Sequence, residues 1–365
     1  MAPHFHIKHP VPAGLGPPTS SAPALAENGS APASDAPLPV SFEMPPFQPH
    51  RLFPNGHLQT IVPAFLPKPN IAYRAKQHRI ALVDGDQLVL HDDAPPQWQP
   101  GGPIVILLHG LGGDHRSSYV VRTAYKLNLM GVRTFALDLR GCGAGFHLAR
   151  QTTHAGRSDD ASAALACVRK MCPASPIVVV GYSMSGNLVL KMAAEYGEHL
   201  PAALDSIVAI SPPVDLEACS QQFREGWNRW YDRYYLKRCM KVLTRKNKEI
   251  CPYTFRLLGQ QPKTLREFDD LYTAPLGGFE SASDYYAQSS TVELIPEIAV
   301  PTLIITAEDD PIIPVKSFAN LQLPEHVLLH ITRSGGHLGF YGRSGCDPDR
   351  HWLDWRIVQW VTQRL

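Results

Sequence analysis

The stretch PIVVVGYSMSGNLVL, residues 176–190, runs a continuous apolar segment into a tight turn and then into a helical pattern. A β-branched run of that kind is expected for a strand buried on both faces. The turn carries two serines, Ser183 and Ser185. A serine held in a sharp strand-to-helix turn projects its hydroxyl away from the backbone, at a conformational cost of about 1–3 kcal/mol. The residues two before and two after it must be small, because their side chains crowd the turn. Ser183 has Gly181 and Ser185 at those positions, whereas Ser185 would have Ser183 and the bulkier Asn187 and would already lie inside the helix. Sterics therefore select Ser183 as the nucleophile. Ser185 adds one Cβ and a hydroxyl, which a tight turn can accept.

The same alternation extends in both directions. HRIALVDG and DQLVLHDD read as a hairpin with a Gly-Asp turn. PIVILLHG, VRTFALDLRG, LDSIVAISPP, PTLIITAEDD and VLLHITRSGGH read as further strands. SSYVVRTAYKLNLMG, SDDASAALACVRKM with a Ser-Asp-Asp cap, and RHWLDWRIVQWVTQRL read as helices. The expected fold is α/β, a mostly parallel central sheet with helices on both faces. Residues 215–292 interrupt this rhythm with aromatics and bases, FREGWNRWYDRYYLKRCMKVLTRKNK among them, and are expected to form a helical cap inserted into the core of residues 76–214 and 293–365. Residues 1–48 hold about a third of the prolines and few large apolar side chains, so they read as a disordered leader to a domain spanning 49–365.

Bulk composition narrows the function. The 365 residues carry a formal net charge of +1, and nothing points to nucleic acid. Seven cysteines without paired spacing fit reduced thiols in a cytoplasmic protein, not a disulfide framework or a zinc site. No apolar run is long enough to span a bilayer, and no secretory signal is recognisable. RGCGAG, residues 140–145, does not complete G-x-G-x-x-G and opens no helix, so no cofactor is expected, and no metal motif is visible. An aspartate nucleophile is excluded because the turn carries serine. Nothing in the pattern sets an oligomeric state.

A serine nucleophile needs partners. Backbone N–H donors must hold the oxyanion of a tetrahedral intermediate. Met184, opening a helix, and Leu111 in LLHGLGGD, where glycines let the backbone approach a substrate, are the expected donors. A histidine must take the serine proton and a carboxylate must orient that histidine. His337 stands out in RSGGHLGF after the last strand, and TLIITAEDDPIIP offers Glu308, Asp309 and Asp310. Trp227, Trp230, Tyr231 and Tyr234 fall at helical spacing in the cap; they either pack it onto the body or, for Trp227, Trp230 and Tyr234, wall a substrate pocket. Nine Lys/Arg residues lie between 224 and 248 against two acids, a solvated face by default and a surface for anionic lipid headgroups, hence peripheral membrane contact, as the sharper reading.

Taken together, PNGHLQTIVP, HGLGGD, LRGCGAG…THAGRSDD and GGHLGF resemble the signatures of the YheT-like α/β-hydrolases from about residue 50 to the C-terminus. The resemblance implies the α/β-hydrolase fold, with Ser, acid and His in that chain order. It favours Asp310, which begins DPIIP, over Asp309, and maps the family serine onto Ser183. It also implies hydrolysis of carboxylic esters, with short acyl esters and monoacylglycerols as the substrate class. Fungal relatives transfer acyl groups to alcohols, which makes an acyltransferase the second reading and a non-catalytic interaction protein the third. Two departures stand out. Ser185 replaces a family glycine, and the Pro/Ala-rich leader lacks the membrane anchor of animal members.

Overall fold

A computed structural model describes residues 42–66, 71–247 and 261–365, the side chains of residues 246 and 247 excepted. Of the stretch read as a leader, residues 1–41 lie outside the described residues. So do residues 248–260 of the insertion, including Lys248.

Eight strands form one sheet in the order β1-β2-β4-β3-β5-β6-β7-β8. They are β1 (Lys76–Ala81), β2 (Gln87–Asp93), β3 (Ile104–Leu108), β4 (Arg133–Asp138), β5 (Ile177–Tyr182), β6 (Leu204–Ile210), β7 (Thr302–Ala307) and β8 (Val327–Thr332). The β1–β2 hairpin and the β2–β4 pair are antiparallel; every other pairing is parallel. The strands that read as unbroken apolar runs, β3 and β5, are buried along their whole length, as their composition requires.

Helices cover both faces. On one face α2 (Ser118–Leu129) and α10 (Trp352–Arg364) close over Val105, Leu107, Val178, Val180 and Val208. On the other, α3 (Ser158–Met171) and α4 (Met184–Tyr196) close over Ile104, Ile106, Val179 and Ile207. The Ser-Asp-Asp reading of the α3 start needs correction. Ser158 is already the first helical residue, no side chain caps that end, and the Ser158 hydroxyl donates to Glu195 at 2.5 Å.

A short helix α1 (Gly56–Phe65) precedes the sheet. Between β6 and β7 lie α5 (Leu216–Gln222), α6 (Arg229–Asn247), α7 (Leu265–Phe268), α8 (Ala274–Gly277) and α9 (Ala282–Ser289), from which Tyr231, Ala274, Ala282 and Tyr285 join the core. Residues 42–48, read from composition as the end of the leader, are packed. Phe42 meets Trp360 edge-on at 4.9 Å, and Phe47 contacts Phe340 and Trp352 at 5.6 Å. These rings bring apolar surface that composition alone did not weigh. Among the described residues no helix is long and apolar enough to cross a membrane.

Parallel pairing fixes what lies beside what. Leu108 pairs with Gly181 and Tyr182 with Ile210, so the loop after β3 emerges next to the turn after β5. Ala307 pairs with Thr332, which brings the loops after β7 and β8 out side by side.

One buried ion cluster ties α10 to α2. Asp354, 1% exposed, accepts from Arg122 Nε at 2.8 Å and Lys126 Nζ at 3.0 Å. Burial opposes its charge, but Arg122 and Lys126 outweigh burial and hold the carboxyl below the usual range. Removing the acid takes the carboxylate from Arg122 and leaves Lys126 with Asp349, at 2.8 Å, as its counter-charge. Asp354→Ala is expected to cost about 3–5 kcal/mol of unfolding free energy, read from urea denaturation of the full chain.

Candidate active site

Ser183 sits between the last residue of β5 and the first of α4 with φ 54° and ψ −121°, a conformation that L-residues adopt only under constraint. Its N–H donates to Ile210 O at 2.7 Å, and its carbonyl accepts from Gly186 N–H at 2.7 Å. A Cβ at Gly181 would collide with the Ser185 carbonyl group, and one at Gly186 would press on Pro212 at 3.0 Å. Position 181 therefore requires glycine, whereas Ser185 is accommodated with its hydroxyl bonded. That hydroxyl is fully buried and donates to His109 O at 2.5 Å, joining the first turn of α4 to the loop after β3.

That loop is a tight turn. Gly113 N–H donates to Gly110 O at 3.0 Å, and Gly112 has φ 68°, the geometry that requires glycine at the third position of a type II turn. The turn bonds its first and fourth residues, which leaves the Leu111 N–H unused by it. A Cβ on Gly110 would lie 3.1 Å from Ser183 Cβ, so the loop backbone lies against the serine. The Met184 N–H is the first of α4 and has no intrahelical acceptor. Leu111, Met184 and Ser183 line one common cavity.

His337 Nε2 lies 2.7 Å from Ser183 Oγ, and its Nδ1 lies 2.9 Å from Asp310 Oδ2. Asp310 Oδ1 accepts from the N–H groups of Ile312 at 2.8 Å and Ile313 at 3.0 Å. Those two amides occupy one oxygen and aim the other at the imidazole. With Asp310 as a carboxylate, Nδ1 carries the proton and Nε2 presents a lone pair to the serine hydroxyl. Asp309 does something else: its Oδ1 accepts from Gly336 N–H at 2.9 Å, and burial pushes its carboxyl up.

Sequence reasoning found the histidine but missed what holds it. His337 N–H donates to Thr60 Oγ1 at 2.9 Å, and His337 O accepts from Ser211 Oγ at 2.5 Å. Gln59, fully buried, donates to Phe53 O at 2.8 Å and to Tyr341 O at 3.1 Å and accepts from Tyr341 N–H at 2.8 Å. His57 Nδ1 reaches Tyr231 OH at 3.1 Å, with the rings stacked. The HLQT stretch thus clamps the histidine loop and touches α6. Its signal was three polar residues, His57, Gln59 and Thr60, within one short stretch.

Two cavities converge on Ser183. One lies under α5, α6 and α9, with Phe223, Leu243, Tyr285, Ile312 and Ile313 in its wall, and encloses about 1290 Å³, part of it open to solvent. The other, about 1240 Å³ by the same measure, runs past His337 and α1 and is walled by Trp230, Tyr231, Tyr234 and Phe65. Leu111, Tyr235 and Arg238 border both. Trp227 lines neither and is 86% exposed, so the structure does not bring it to the site.

Among the described residues, His91, His115 and Asp138 form the one cluster with metal-ligating atoms close together. Their separation in sequence explains why no motif showed. The three groups already satisfy one another: Asp138 meets His91 Nε2 and His115 Nδ1 at 2.9 Å, and accepts the N–H groups of His115 and Ala144 at 2.7 Å. The bonds to His115 anchor the far end of the loop that carries Leu111.

Residues 103–344 match the family model described as alpha/beta hydrolase fold. The chain is 35% identical over 326 residues to the Escherichia coli (strain K12) protein named "Putative esterase YheT", covering 87% of this chain and 94% of the relative. It is 26% identical to Phospholipase ABHD3 of Mus musculus, covering 77% of this chain and 70% of that protein. It superposes on the Pyrococcus furiosus esterase Pf2001 with a TM-score of 0.51 at 17% identity, covering 82% and 98% of the two chains, a likeness of fold alone.

His154 supplies a pH-dependent contact in the wall of the cavity under α5, α6 and α9. It packs edge-on against Phe279 and Tyr285, and burial, helped by Arg157 and Arg140, pushes its pKa down to about 3. A base with a depressed folded pKa contributes stability that is present above its unfolded value of about 6.5 and is lost as pH falls toward 3. Between pH 7 and pH 5 this group is expected to cost about 2 kcal/mol. The loss should be smaller by that amount in His154→Gln, compared with wild type in urea titrations at the two pH values.

Proposed function

The chain belongs to the α/β-hydrolase fold family, and we propose that it is a serine hydrolase of carboxylic esters working through an acyl-enzyme. The observation that carries this reading is the chain Ser183 Oγ–His337 Nε2 at 2.7 Å and His337 Nδ1–Asp310 Oδ2 at 2.9 Å, placed where two cavities meet. Ser183 Oγ attacks the acyl carbon while its proton passes to His337 Nε2. Asp310 orients the imidazole and stabilises the imidazolium. The Leu111 and Met184 N–H groups receive the oxyanion, each contributing roughly 10²–10³ in rate. On collapse the ester C–O bond breaks and His337 returns the proton to the leaving alcohol oxygen. Water then gives a proton to His337 and attacks the acyl carbon; the bond to Ser183 Oγ breaks, His337 returns the proton to that oxygen, and the acid leaves.

The cavities support a substrate class. The one under α5, α6 and α9, walled by aromatic and branched side chains, suits an acyl chain. The other, bordered by His337, suits the alcohol half and its exit. Esters with an apolar acyl group and a small alcohol, monoacylglycerols included, fit this division.

The assignment separates neighbouring residues. Ser183→Ala is expected to lower p-nitrophenyl ester turnover by about 10⁶-fold. Ser185→Ala, which loses one hydrogen bond to His109 O, should stay within about tenfold of wild type. The reverse order would overturn the choice of nucleophile.

The two acids give a second test in the same assay. Asp310→Asn should cost about 10⁴ in kcat. Asp309→Asn, whose side chain meets the N–H groups of Gly335 and Gly336 and not the imidazole, should cost far less.

A further inference from the structure

The exposed face of α6 has a composition that the chemistry at Ser183 does not use. From residue 226 to 245 there are six bases and one acid, Asp232. Asp232 is turned inward and accepts Leu265 N–H at 2.8 Å. Side chains four apart on a helix form a stripe. Arg229, Arg233, Lys237 and Lys241 make one exposed stripe, and Trp230, Tyr234 and Arg238 make the adjoining one. Trp230 stacks on Tyr234 at 5.5 Å and Arg238 lies over Tyr234 at 5.5 Å. Trp227, just before the helix, is 86% exposed, and Phe65 of α1 is 74% exposed.

We propose that this face of α6 docks the enzyme on a lipid–water interface bearing anionic headgroups. A solvated helix face needs neither exposed tryptophan nor a single sign of charge. Aromatic rings with long cationic side chains beside them match the boundary between headgroups and acyl chains, and anionic lipid attracts each nearby base. The position of the face selects lipid over other polyanions: Trp230, Tyr234 and Phe65 wall the cavity that leads to Ser183 and His337. Docking there presents the cavity mouth to the layer in which a lipid ester resides. The purpose of the docking rests on the ester-hydrolase reading; the docking itself does not.

The test is sedimentation of the full chain with extruded vesicles of phosphatidylcholine alone and of phosphatidylcholine with phosphatidylglycerol, at low and high salt. Turnover of soluble p-nitrophenyl butyrate is measured in parallel. Wild type should bind the anionic vesicles, more weakly as salt rises. The triple variant Arg233→Gln, Lys237→Gln, Lys241→Gln touches neither cavity. It should bind about a hundredfold more weakly, roughly fivefold per base, with butyrate turnover unchanged. Trp227→Ala should bind more weakly with the same salt dependence as wild type. Equal binding to neutral and anionic vesicles, a triple variant that sediments like wild type, or capture by a DNA oligonucleotide without vesicle binding would each overturn the proposal. Vesicle binding without butyrate turnover would remove the ester reading and leave the docking standing.

Discussion

A serine backbone at φ 54° and ψ −121° costs energy wherever it occurs, and the rest of this active site is arranged around keeping it there. The N–H to Ile210 O extends the β5–β6 ladder by one residue past its end, and the carbonyl starts α4. The turn can be that sharp because position 181 has no side chain. Strain of this type persists only when neighbouring elements over-determine it. Here they are a strand buried on both faces and a helix whose first turn is bonded to the adjacent loop. The projection of Oγ into the space between two cavities is a result of those packing demands.

The parts that were legible in the sequence share a property: each is encoded within a few consecutive residues. β3 and β5 read correctly because a strand with two covered faces has no polar positions to obscure it. Ser183 was separable from Ser185 because side-chain crowding in a turn is a local matter. His337 stood out through the glycines before it; Gly335 has φ 157° and Gly336 has φ 61°. What escaped reading is polar and non-local. The bonds of Thr60 to His337, Ser185 to His109, and His91 and His115 to Asp138 join residues that no periodicity connects. A hydrogen bond leaves no pattern in the chain unless its partners are neighbours. Trp227 illustrates the opposite error, since helical spacing placed it with Trp230 and Tyr234 whereas it lies before the helix begins.

The two cavities also clarify the insertion. One is roofed by helices between β6 and β7 and floored by Met184 and the loop after β7, so its wall draws on parts of the chain far apart. The body holds the reacting atoms, and the insertion supplies most of the apolar surface around them. Substitutions in α6 or α9 can therefore reshape this cavity while the Ser183–His337–Asp310 geometry stays as it is.

The clamp on the histidine loop has a consequence for biosynthesis. Gln59 and Tyr341 are 282 positions apart, yet each holds the other's backbone or side chain in place. A ribosome makes the serine turn 154 residues before it reaches His337. At that moment neither the carboxylate nor the imidazole exists, and α1 has nothing to grip. On the serine-hydrolase reading proposed above, the nascent chain is inert toward esters until the histidine loop has been made, and the serine gains its base only when two segments far apart in the chain close on each other.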